Sequence, residues 1–198
     1  MFDEGVIKFS CEWQKTEPLA FSGLETLMRW RDRIFAAGLI GLYPNGIGYG
    51  NISLKFTDSS FIISGTQTGH LLHTEPQHYT LVDRWDIDRN SLHCTGPIKA
   101  SSESLTHAAV YTLDSTIQAI VHGHSAALWQ QYLNVLPTTR ASVPYGTPAM
   151  AYEMGRLFQE EGLAQKRCLV MAGHEDGLLA FGETLEQAAT TLLALKQL

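Results

Sequence analysis

The sequence predicts an α/β domain built around a central sheet. Apolar residues recur at helical spacing near the start, in the middle and at the end of the chain. Short apolar runs, many of them bounded by glycine, asparagine or aspartate, lie between these helical segments and are typical of strands. The length of 198 residues suits one domain with a well-buried core.

The predicted elements follow one another with short turns between them. Residues 1–18 are expected to form a loosely structured lead-in, and residues 19–198 the domain itself. Apolar spacing predicts a helix within 19–39, and a loop rich in Gly, Pro and Asn follows over 42–50. Further strands are predicted at 51–56, 61–64, 79–85, 91–94, 119–122, 168–172 and 178–181, and helices at 102–113, 125–133, 148–158 and 184–195.

The composition excludes several classes of protein. The net charge of −6 comes from acidic residues spread along the chain, and no Lys/Arg cluster marks a nucleic-acid-binding surface. No apolar run is long enough to span a membrane, and the acidic first twenty residues do not resemble a secretory signal. Three cysteines far apart in the sequence indicate inert thiols in a reducing compartment, so a cytoplasmic location is expected.

Two histidines follow an apolar run in the segment Val-His-Gly-His. Side chains two positions apart on an extended chain point to the same face, so His122 and His124 can converge on one point. Gly123 between them allows close approach of the backbone. Imidazole nitrogens are common ligands of zinc-type ions, and the pattern therefore predicts a divalent metal bound by this pair.

Further ligands must come from elsewhere in the chain. His174 lies in a Gly-bounded turn after an apolar strand, and Asp176 in the same turn competes with it as third ligand. Glu103 is a fourth candidate in the first turn of a predicted helix, where Ser101 or Ser102 is placed to form the N-cap. His107 shares a helix face with Glu103 and is expected to brace that carboxylate or the core.

Three segments of small residues could receive an anionic group. They offer backbone N–H groups and hydroxyls without bulky side chains, and such arrays bind phosphate even where no basic cluster is present. Loops and helix caps have the same composition, so each segment alone is a weak indication. The segments are Gly50-Asn51, 64–69 and Ser101-Ser102.

Taken together and in this order, these motifs resemble the class II aldolase/adducin family. The similarity runs from about Glu25 to Ala194, and Glu103 precedes His122 by the spacing that the family's aldolases have between their catalytic Glu and first metal-binding His. The matching motifs are Gly-Asn-Ile-Ser, Ile-Ser-Gly-Thr-Gln-Thr-Gly, Ser-Ser-Glu…His, Val-His-Gly-His and Gly-His-Glu-Asp-Gly-Leu-Leu-Ala-Phe-Gly.

The resemblance implies a three-layer α/β/α sandwich around a mixed, largely antiparallel sheet. It also implies a Zn²⁺ ion, with Mn²⁺, Co²⁺ or Fe²⁺ as alternatives, and a homotetramer with sites at subunit interfaces. Glu103 would be an additional metal ligand or the catalytic acid/base. The metal ligands implied are His122, His124 and His174, and the residues implied around the substrate phosphate are Gly50, Asn51, Thr68, Gly69, Ser101 and Ser102.

The activity implied is a lyase that cleaves a small, phosphorylated ketose or hydroxy-carbonyl compound through a metal-stabilised enediolate. A sugar-phosphate epimerase or dehydratase on the same scaffold is the alternative, and a non-catalytic adducin-like module is a third. The family's third ligand is usually followed directly by Gly, whereas Glu175 and Asp176 intervene here. Tyr145 and Tyr152 are the nearby candidates for the family's tyrosine proton donor.

Overall fold

The computed structural model describes residues 5–197, and most of its helices and strands lie where the sequence predicts them. The strands are β1 (Ser10–Lys15), β2 (Gly41–Leu42), β3 (Gly48–Tyr49), β4 (Asn51–Thr57), β5 (Ser60–Ser64), β6 (Tyr79–Asp86), β7 (Ser91–Gly96), β8 (Ala119–His124), β9 (Cys168–Val170) and β10 (Gly177–Gly182). The helices are α1 (Leu24–Ala36), α2 (Ser104–Leu113), α3 (Ala126–Tyr132), α4 (Pro148–Glu160), α5 (Leu163–Lys166) and α6 (Leu185–Ala194), with 3₁₀ turns at Pro76–His78 and Leu195–Gln197.

Eight of the strands form one mixed sheet in the order β1-β7-β6-β5-β4-β8-β10-β9. The pairing of β1 with β7 is parallel, and the other pairings within this sheet are antiparallel. The strands β2 and β3 form a separate hairpin within the segment predicted as a loop. The predicted α/β fold with a mixed, largely antiparallel sheet is therefore confirmed.

Helices cover both faces of the sheet and make the three predicted layers. Successive strand residues point to opposite faces, so a strand with a helix layer on each side carries apolar residues towards both faces. In β8, Ile120 packs into the core shared with α2 and α4, while Val121 packs into the core shared with α1 and α6. Among the described residues, no helix combines the length and apolar character needed to cross a membrane.

The expectation of a loosely structured lead-in over residues 1–18 is wrong for Ser10–Lys15. This segment forms β1 at the edge of the sheet, and the Trp13 indole N–H donates to the carbonyl of Gly96 in β7 at 2.9 Å. Most β1 side chains are exposed or half-buried, as expected for an edge strand. Its sequence therefore lacks a strong strand pattern, and the pairing depends on a partner strand far along the chain.

The same strand corrects the prediction for two cysteines. Cys11 in β1 and Cys94 in β7 lie side by side, with their sulfur atoms 3.6 Å apart, and both are free thiols. The hydrogen bond with Cys11, together with other local contacts, lowers the pKa of Cys94 to about 7, whereas the pKa of Cys11 is raised. They are therefore an adjacent thiol pair, although 83 positions separate them in the sequence.

Candidate active site

Three histidines converge at one end of the sheet. His122 and His124 are the last alternate residues of β8, and His174 comes from the turn between β9 and β10. Each of the three offers a ring nitrogen, and these nitrogens all lie within 4.8 Å of one another. All three rings are almost completely buried, with exposed fractions of 1% to 3%. The structure thus brings together the three histidines that the sequence singled out.

The hydrogen bonds of His122 fix which of its nitrogens faces the other rings. Its Nδ1 lies 3.0 Å from the carbonyl oxygen of Leu178, and a carbonyl can only accept, so Nδ1 carries the hydrogen. In the neutral ring Nε2 is then left with a lone pair, and it lies 2.9 Å from Nε2 of His124. Burial, reinforced by the neighbouring histidines, lowers the pKa of both His122 and His124 well below 6.5.

These features fit a divalent metal. Metal binding requires a neutral imidazole, and burial keeps both rings in that form. A backbone carbonyl that orients the outer nitrogen of a histidine is the usual support of a metal ligand. A chelating cluster of three nitrogen donors, with Glu103 beside it, suits a zinc-type ion better than the hard cations Mg²⁺ and Ca²⁺, which prefer oxygen.

His124 has aromatic support that the sequence did not reveal. The hydroxyl of Tyr43 lies 2.8 Å from its Nδ1, and the ring of Tyr49 lies 5.4 Å from its ring centroid. Both tyrosines belong to the hairpin region of β2 and β3, where the sequence predicts a loop over 42–50. The Gly/Pro/Asn composition indicated a turn but gave no indication that two aromatic side chains are directed at the site.

The turn that carries His174 accommodates the two additional residues found in the sequence. The Gly177 N–H donates to the His174 carbonyl at 3.0 Å, so Glu175 and Asp176 occupy the two central positions of a tight turn. Asp176 has φ +64°, a conformation that Asp tolerates better than most residues. Among the described residues, Asp176 is not one of the converging side chains that could hold a metal, and it lines a neighbouring cavity with Tyr43 and Tyr49.

Gly177 is needed for the close packing of the histidines. A Cβ atom at this position would lie 3.0 Å from the His174 carbonyl oxygen, 3.2 Å from His174 Nδ1 and 3.3 Å from His122 Cε1. Contacts this short require the His174 backbone and the neighbouring rings to give way by a few tenths of an ångström. Gly177 pairs directly with His124 in the β8–β10 ladder, so it faces the site from the adjacent strand.

Glu103 lies beside the histidines, where the sequence predicted it. Its Oε1 is 3.4 Å from His174 Nδ1, and its Oε2 accepts a hydrogen bond from the Thr106 hydroxyl at 2.7 Å. Glu103 is the N-cap residue of α2, with an exposed fraction of 1%. The expectation that Ser101 or Ser102 forms the N-cap is therefore wrong, because the chain turns into the helix one residue later.

His107 braces the core, which is one of the two roles expected for it. Its Nδ1 lies 2.7 Å from the Ser53 hydroxyl, which also lies 2.8 Å from the Tyr111 hydroxyl. The ring is fully buried, and burial lowers its pKa to about 3. The Glu103 side chain is held by the neighbouring Thr106.

A narrow polar cleft opens next to Glu103. All six residues expected around a substrate phosphate line it, and no Lys or Arg is among the described residues that do so. The other lining residues are Gly5, Gly48, Gly65, Thr66, Gln67 and Glu103 itself. The six expected residues are Gly50, Asn51, Thr68, Gly69, Ser101 and Ser102.

Asn51 connects this cleft to the histidines. It pairs with His122 in the β4–β8 ladder, and its side chain is buried. Within residues 5–197, its Oδ1 has no hydrogen-bond partner. A buried amide oxygen of this kind is costly unless a ligand satisfies it, so Asn51 is suited to contact a bound molecule.

Of the two candidate tyrosines, the structure brings only Tyr145 to the site. Its ring stacks on His174 with centroids 4.3 Å apart, and the ammonium of Lys8 lies 3.6 Å above it. Its hydroxyl accepts a hydrogen bond from the Val6 N–H at 3.2 Å. Tyr152 is instead 57% exposed on α4 and bonds to Asp88. The contribution of the N-terminal segment was missed because it was predicted to lack structure.

Residues 45–198 match the family model described as the class II aldolase and adducin N-terminal domain. The match extends over most of the chain. The protein therefore belongs to the class II aldolase and adducin family.

Individual relatives agree with this assignment. A methylthioribulose-1-phosphate dehydratase from Granulibacter bethesdensis is 31% identical over 111 residues, which cover 55% of this chain and 47% of that protein. The chain thus aligns with about half the length of this curated relative.

Two solved structures share the fold. An L-fuculose 1-phosphate aldolase has a TM-score of 0.67 and 15% identity, and the alignment covers 91% of this chain and 84% of that one. A sugar-phosphate aldolase from Thermotoga maritima has a TM-score of 0.66 and 15% identity, with 89% and 91% covered. At these identities the likeness concerns the fold.

Proposed function

We propose that the protein is a metal-dependent lyase that cleaves a small, phosphorylated ketose or related hydroxy-carbonyl compound in an aldolase-type reaction. The observation that supports this most is the meeting of the Glu103 carboxylate with three buried histidines at the edge of a polar cleft. Together these groups offer a metal site, a proton-transfer group and an anion-binding surface. The fold alone requires none of them.

The metal would be held by His122, His124 and His174, with Glu103 as an additional ligand or as the acid/base. Zinc is proposed first because three imidazoles suit it, and Mn²⁺, Co²⁺ or Fe²⁺ are alternatives. When bound, a divalent cation supplies a Lewis acid for the negative charge that develops on a carbonyl oxygen during such reactions.

The cleft would bind the phosphate end of the substrate and thereby orient it. Backbone N–H groups at Gly50 and Gly69 and the hydroxyls of Ser101 and Ser102 are the donors proposed for this role. Asn51 lines the cleft and pairs with His122 in the β4–β8 ladder, which supports the proposal that its amide contacts the part of the substrate next to the phosphate. Binding of the non-reacting end fixes the reacting carbon beside Glu103.

Glu103 is proposed to move the proton. Its Oε2 is held by Thr106, which leaves the orientation of the carboxylate fixed, and its Oε1 faces the histidines. In aldol cleavage the carboxylate would take the proton from the hydroxyl on the carbon that becomes the aldehyde. The electrons of the breaking carbon–carbon bond would pass to the carbonyl side to give an enediolate, and Glu103 would then return the proton to its carbon. The burial of Glu103 excludes bulk water from this transfer.

A dehydratase is the second candidate because the 31% identical relative carries that name. Dehydration of a hydroxy-ketone begins with loss of a proton from carbon next to the carbonyl, and Glu103 in the same position could accept it. An epimerase on the same scaffold would use the same groups without forming two products or losing water. A non-catalytic adducin-like module, in contrast, predicts no turnover at all.

Product analysis separates these reactions. We would incubate the purified, metal-containing protein with a panel of ketose 1-phosphates and 5-phosphates and follow the products by mass spectrometry. An aldolase gives two shorter carbonyl compounds, a dehydratase gives one product that has lost water, and an epimerase gives an isomer of unchanged mass. Absence of turnover across the panel would contradict the proposed activity and favour the interaction module.

The control is Glu103→Gln, which keeps the size and the bond to Thr106 but cannot take a proton. We expect turnover to fall by roughly 10²–10⁴-fold while the metal stays bound to the histidines. Turnover equal to that of the unmodified protein would remove Glu103 from the mechanism.

We also propose that the chain forms a homotetramer in the cytoplasm. Family membership supports the assembly, and three free cysteines support a reducing compartment. Light scattering should then give four times the chain mass of 21.9 kDa. A mass equal to one chain would contradict the tetramer.

A further inference from the structure

Arg31 is a charged residue on the buried face of α1. It lies between Leu27 and Ile34 along this face, and its exposed fraction is 1%. Burying a guanidinium is costly unless hydrogen bonds compensate for the lost water. The partners of Arg31 therefore indicate what the charge does in this position.

The guanidinium binds the loop that forms one wall of the cleft. It donates to the carbonyl oxygens of Thr68 at 2.8 Å and of Gly69 at 3.3 Å, and also to the carbonyl of Leu71. One cation thus holds three carbonyls that all belong to the stretch of chain immediately after the turn at Gln67.

Asp32, the next residue of α1, holds the far end of the same loop. Its carboxylate accepts from the Thr74 N–H at 3.4 Å and lies 2.8 Å from His73 Nδ1. The distance from Asp32 to the Arg31 guanidinium is 3.5 Å. Asp32 is therefore shared between several partners, and it only partly offsets the Arg31 charge.

The geometry of the peptide bond determines where the N–H groups of this loop point. In a trans peptide the C=O and the following N–H point in opposite directions. Because the carbonyls of Thr68 and Gly69 turn towards Arg31, the N–H groups of Gly69 and His70 turn to the other side of the loop. In the part of the chain that the structure describes, no backbone carbonyl accepts from either of these N–H groups.

The charges of the cleft also indicate that an anion there would be held by backbone N–H groups of this loop. Among the described lining residues Glu103 is the only one with a formal charge, and it is negative. An anionic group there would depend on backbone N–H donors and on positive charge from behind the wall. Arg31 lies directly behind that wall, bonded to two of its residues, Thr68 and Gly69.

We propose that Arg31 is a positioning residue for anion binding: it turns the carbonyls at Thr68–Leu71 away from the cleft, so that the intervening N–H groups face a bound phosphate, and it adds positive charge behind them. The inference rests on the proposed function in one respect, namely that the cleft receives the phosphate end of the substrate.

Arg156 on α4 provides a matched control. It is also a largely buried arginine, it donates to the carbonyl of Thr138 at 3.0 Å, and it pairs with Glu153 at 2.9 Å. Because α4 and α1 pack into the cores on opposite faces of the sheet, Arg156 lies away from the cleft. Its replacement should destabilise the fold but leave the cleft wall at Thr68 and Gly69 unchanged.

The test measures binding of inorganic phosphate by calorimetry to the metal-containing protein, together with metal content and melting temperature. Arg31→Met should weaken phosphate binding by at least about tenfold, as expected when charged hydrogen bonds that organise a site are lost. Arg31→Lys restores the charge but cannot span three carbonyls. Its phosphate affinity should therefore lie between that of Arg31→Met and that of the unmodified protein. Arg156→Met should bind phosphate as the unmodified protein does, even where its melting temperature is equally lowered.

Unchanged phosphate affinity in a folded Arg31→Met protein would overturn the inference. Equal weakening by Arg156→Met would also overturn it, because the effect would then follow general destabilisation. If Arg31→Met does not fold, Arg31→Lys decides: affinity equal to that of the unmodified protein contradicts the role of the three carbonyls. An unmodified protein that does not bind phosphate would contradict the anion-binding part of the proposed function itself, a result distinct from failure at Arg31 alone.

Discussion

His107 should make the stability of the protein fall steeply under mildly acidic conditions. The ring is fully buried on α2, and burial lowers its pKa from 6.5 to about 3. Between about pH 6.5 and pH 3 the folded protein therefore keeps the ring neutral. The unfolded chain, in which the histidine has its ordinary pKa, takes up a proton below about pH 6.5. Because the unfolded state binds more protons between these two values, the free energy of unfolding decreases as the pH is lowered through that window.

The size of the effect follows from the shift. Each pH unit within the window changes the free energy of unfolding by about 1.36 kcal/mol for one such group. Lowering the pH from about 6.5 to about 4.5 should therefore remove roughly 2–3 kcal/mol through His107 alone. Above about pH 6.5 the contribution is fully present and constant.

The assay is urea unfolding of the protein and of His107→Gln at about pH 7.5, 6.5 and 4.5. Gln can keep a hydrogen bond to Ser53 and does not titrate. The other buried histidines are present in both proteins, so most of their contribution is removed when the two pH profiles are subtracted; the charge on His107 is a smaller cause of the lowered pKa of His122, behind burial and His174. Between about pH 6.5 and 4.5 the unmodified protein should lose roughly 2–3 kcal/mol more than the variant. Parallel profiles would refute the reasoning.

Three further changes have defined outcomes. Gly177→Ala should weaken zinc binding by roughly tenfold or more, because the added methyl group displaces two of the histidine rings. Gly155→Ala is the control and should not weaken it, since the nearest contact of a Cβ atom there is 3.8 Å away. Equal zinc affinities of the two variants in a chelator competition would contradict this prediction. Tyr43→Phe should also weaken zinc by roughly tenfold, measured in the same way, and unchanged affinity would exclude an orienting role for its hydroxyl. Treatment with hydrogen peroxide should form a disulfide between Cys11 and Cys94, so that thiol titration finds one free thiol per chain. The Cys94→Ser control should keep its remaining thiols unpaired. Absence of a disulfide in the treated unmodified protein would contradict the prediction.

The parts of the site that the sequence predicted best depend on local geometry. His122 and His124 are two positions apart in a strand, and a strand fixes on its own that they share a face. The fold class was predictable for a similar reason, since β5 and β8 each contain a run of three apolar residues, 61–63 and 119–121, and segments with helical spacing recur along the chain.

The third histidine required information that lies outside its own segment. From the sequence, His174 and Asp176 were alternatives, because spacing alone does not reveal how a turn closes. In the structure the hydrogen bond from Gly177 to His174 makes the intervening residues the centre of a tight turn, and His174 joins the other histidines. Glu103 likewise reaches the site through packing of α2 against the sheet; its own segment identified it only as a candidate in the first turn of a helix.

The features that the sequence did not reveal all depend on contacts between distant segments. Arg31 lies behind a loop that is 37 or more positions away, and its helical spacing identifies only its face of α1. Tyr43 reaches His124 from a hairpin 81 positions earlier in the chain. Cys11 lies in an edge strand whose parallel pairing has no signature within the strand itself. Tertiary packing determined each of these positions.

The most direct test of the account is elemental analysis of the protein purified without chelator. The central claim is that His122 and His124 hold a metal, so the unmodified protein should contain about one zinc-type ion per chain. Replacing both with Ala should abolish it, whereas replacing the exposed histidines His70 and His73 with Ala should leave it in place. Full metal content in the folded His122→Ala, His124→Ala protein would contradict the claim.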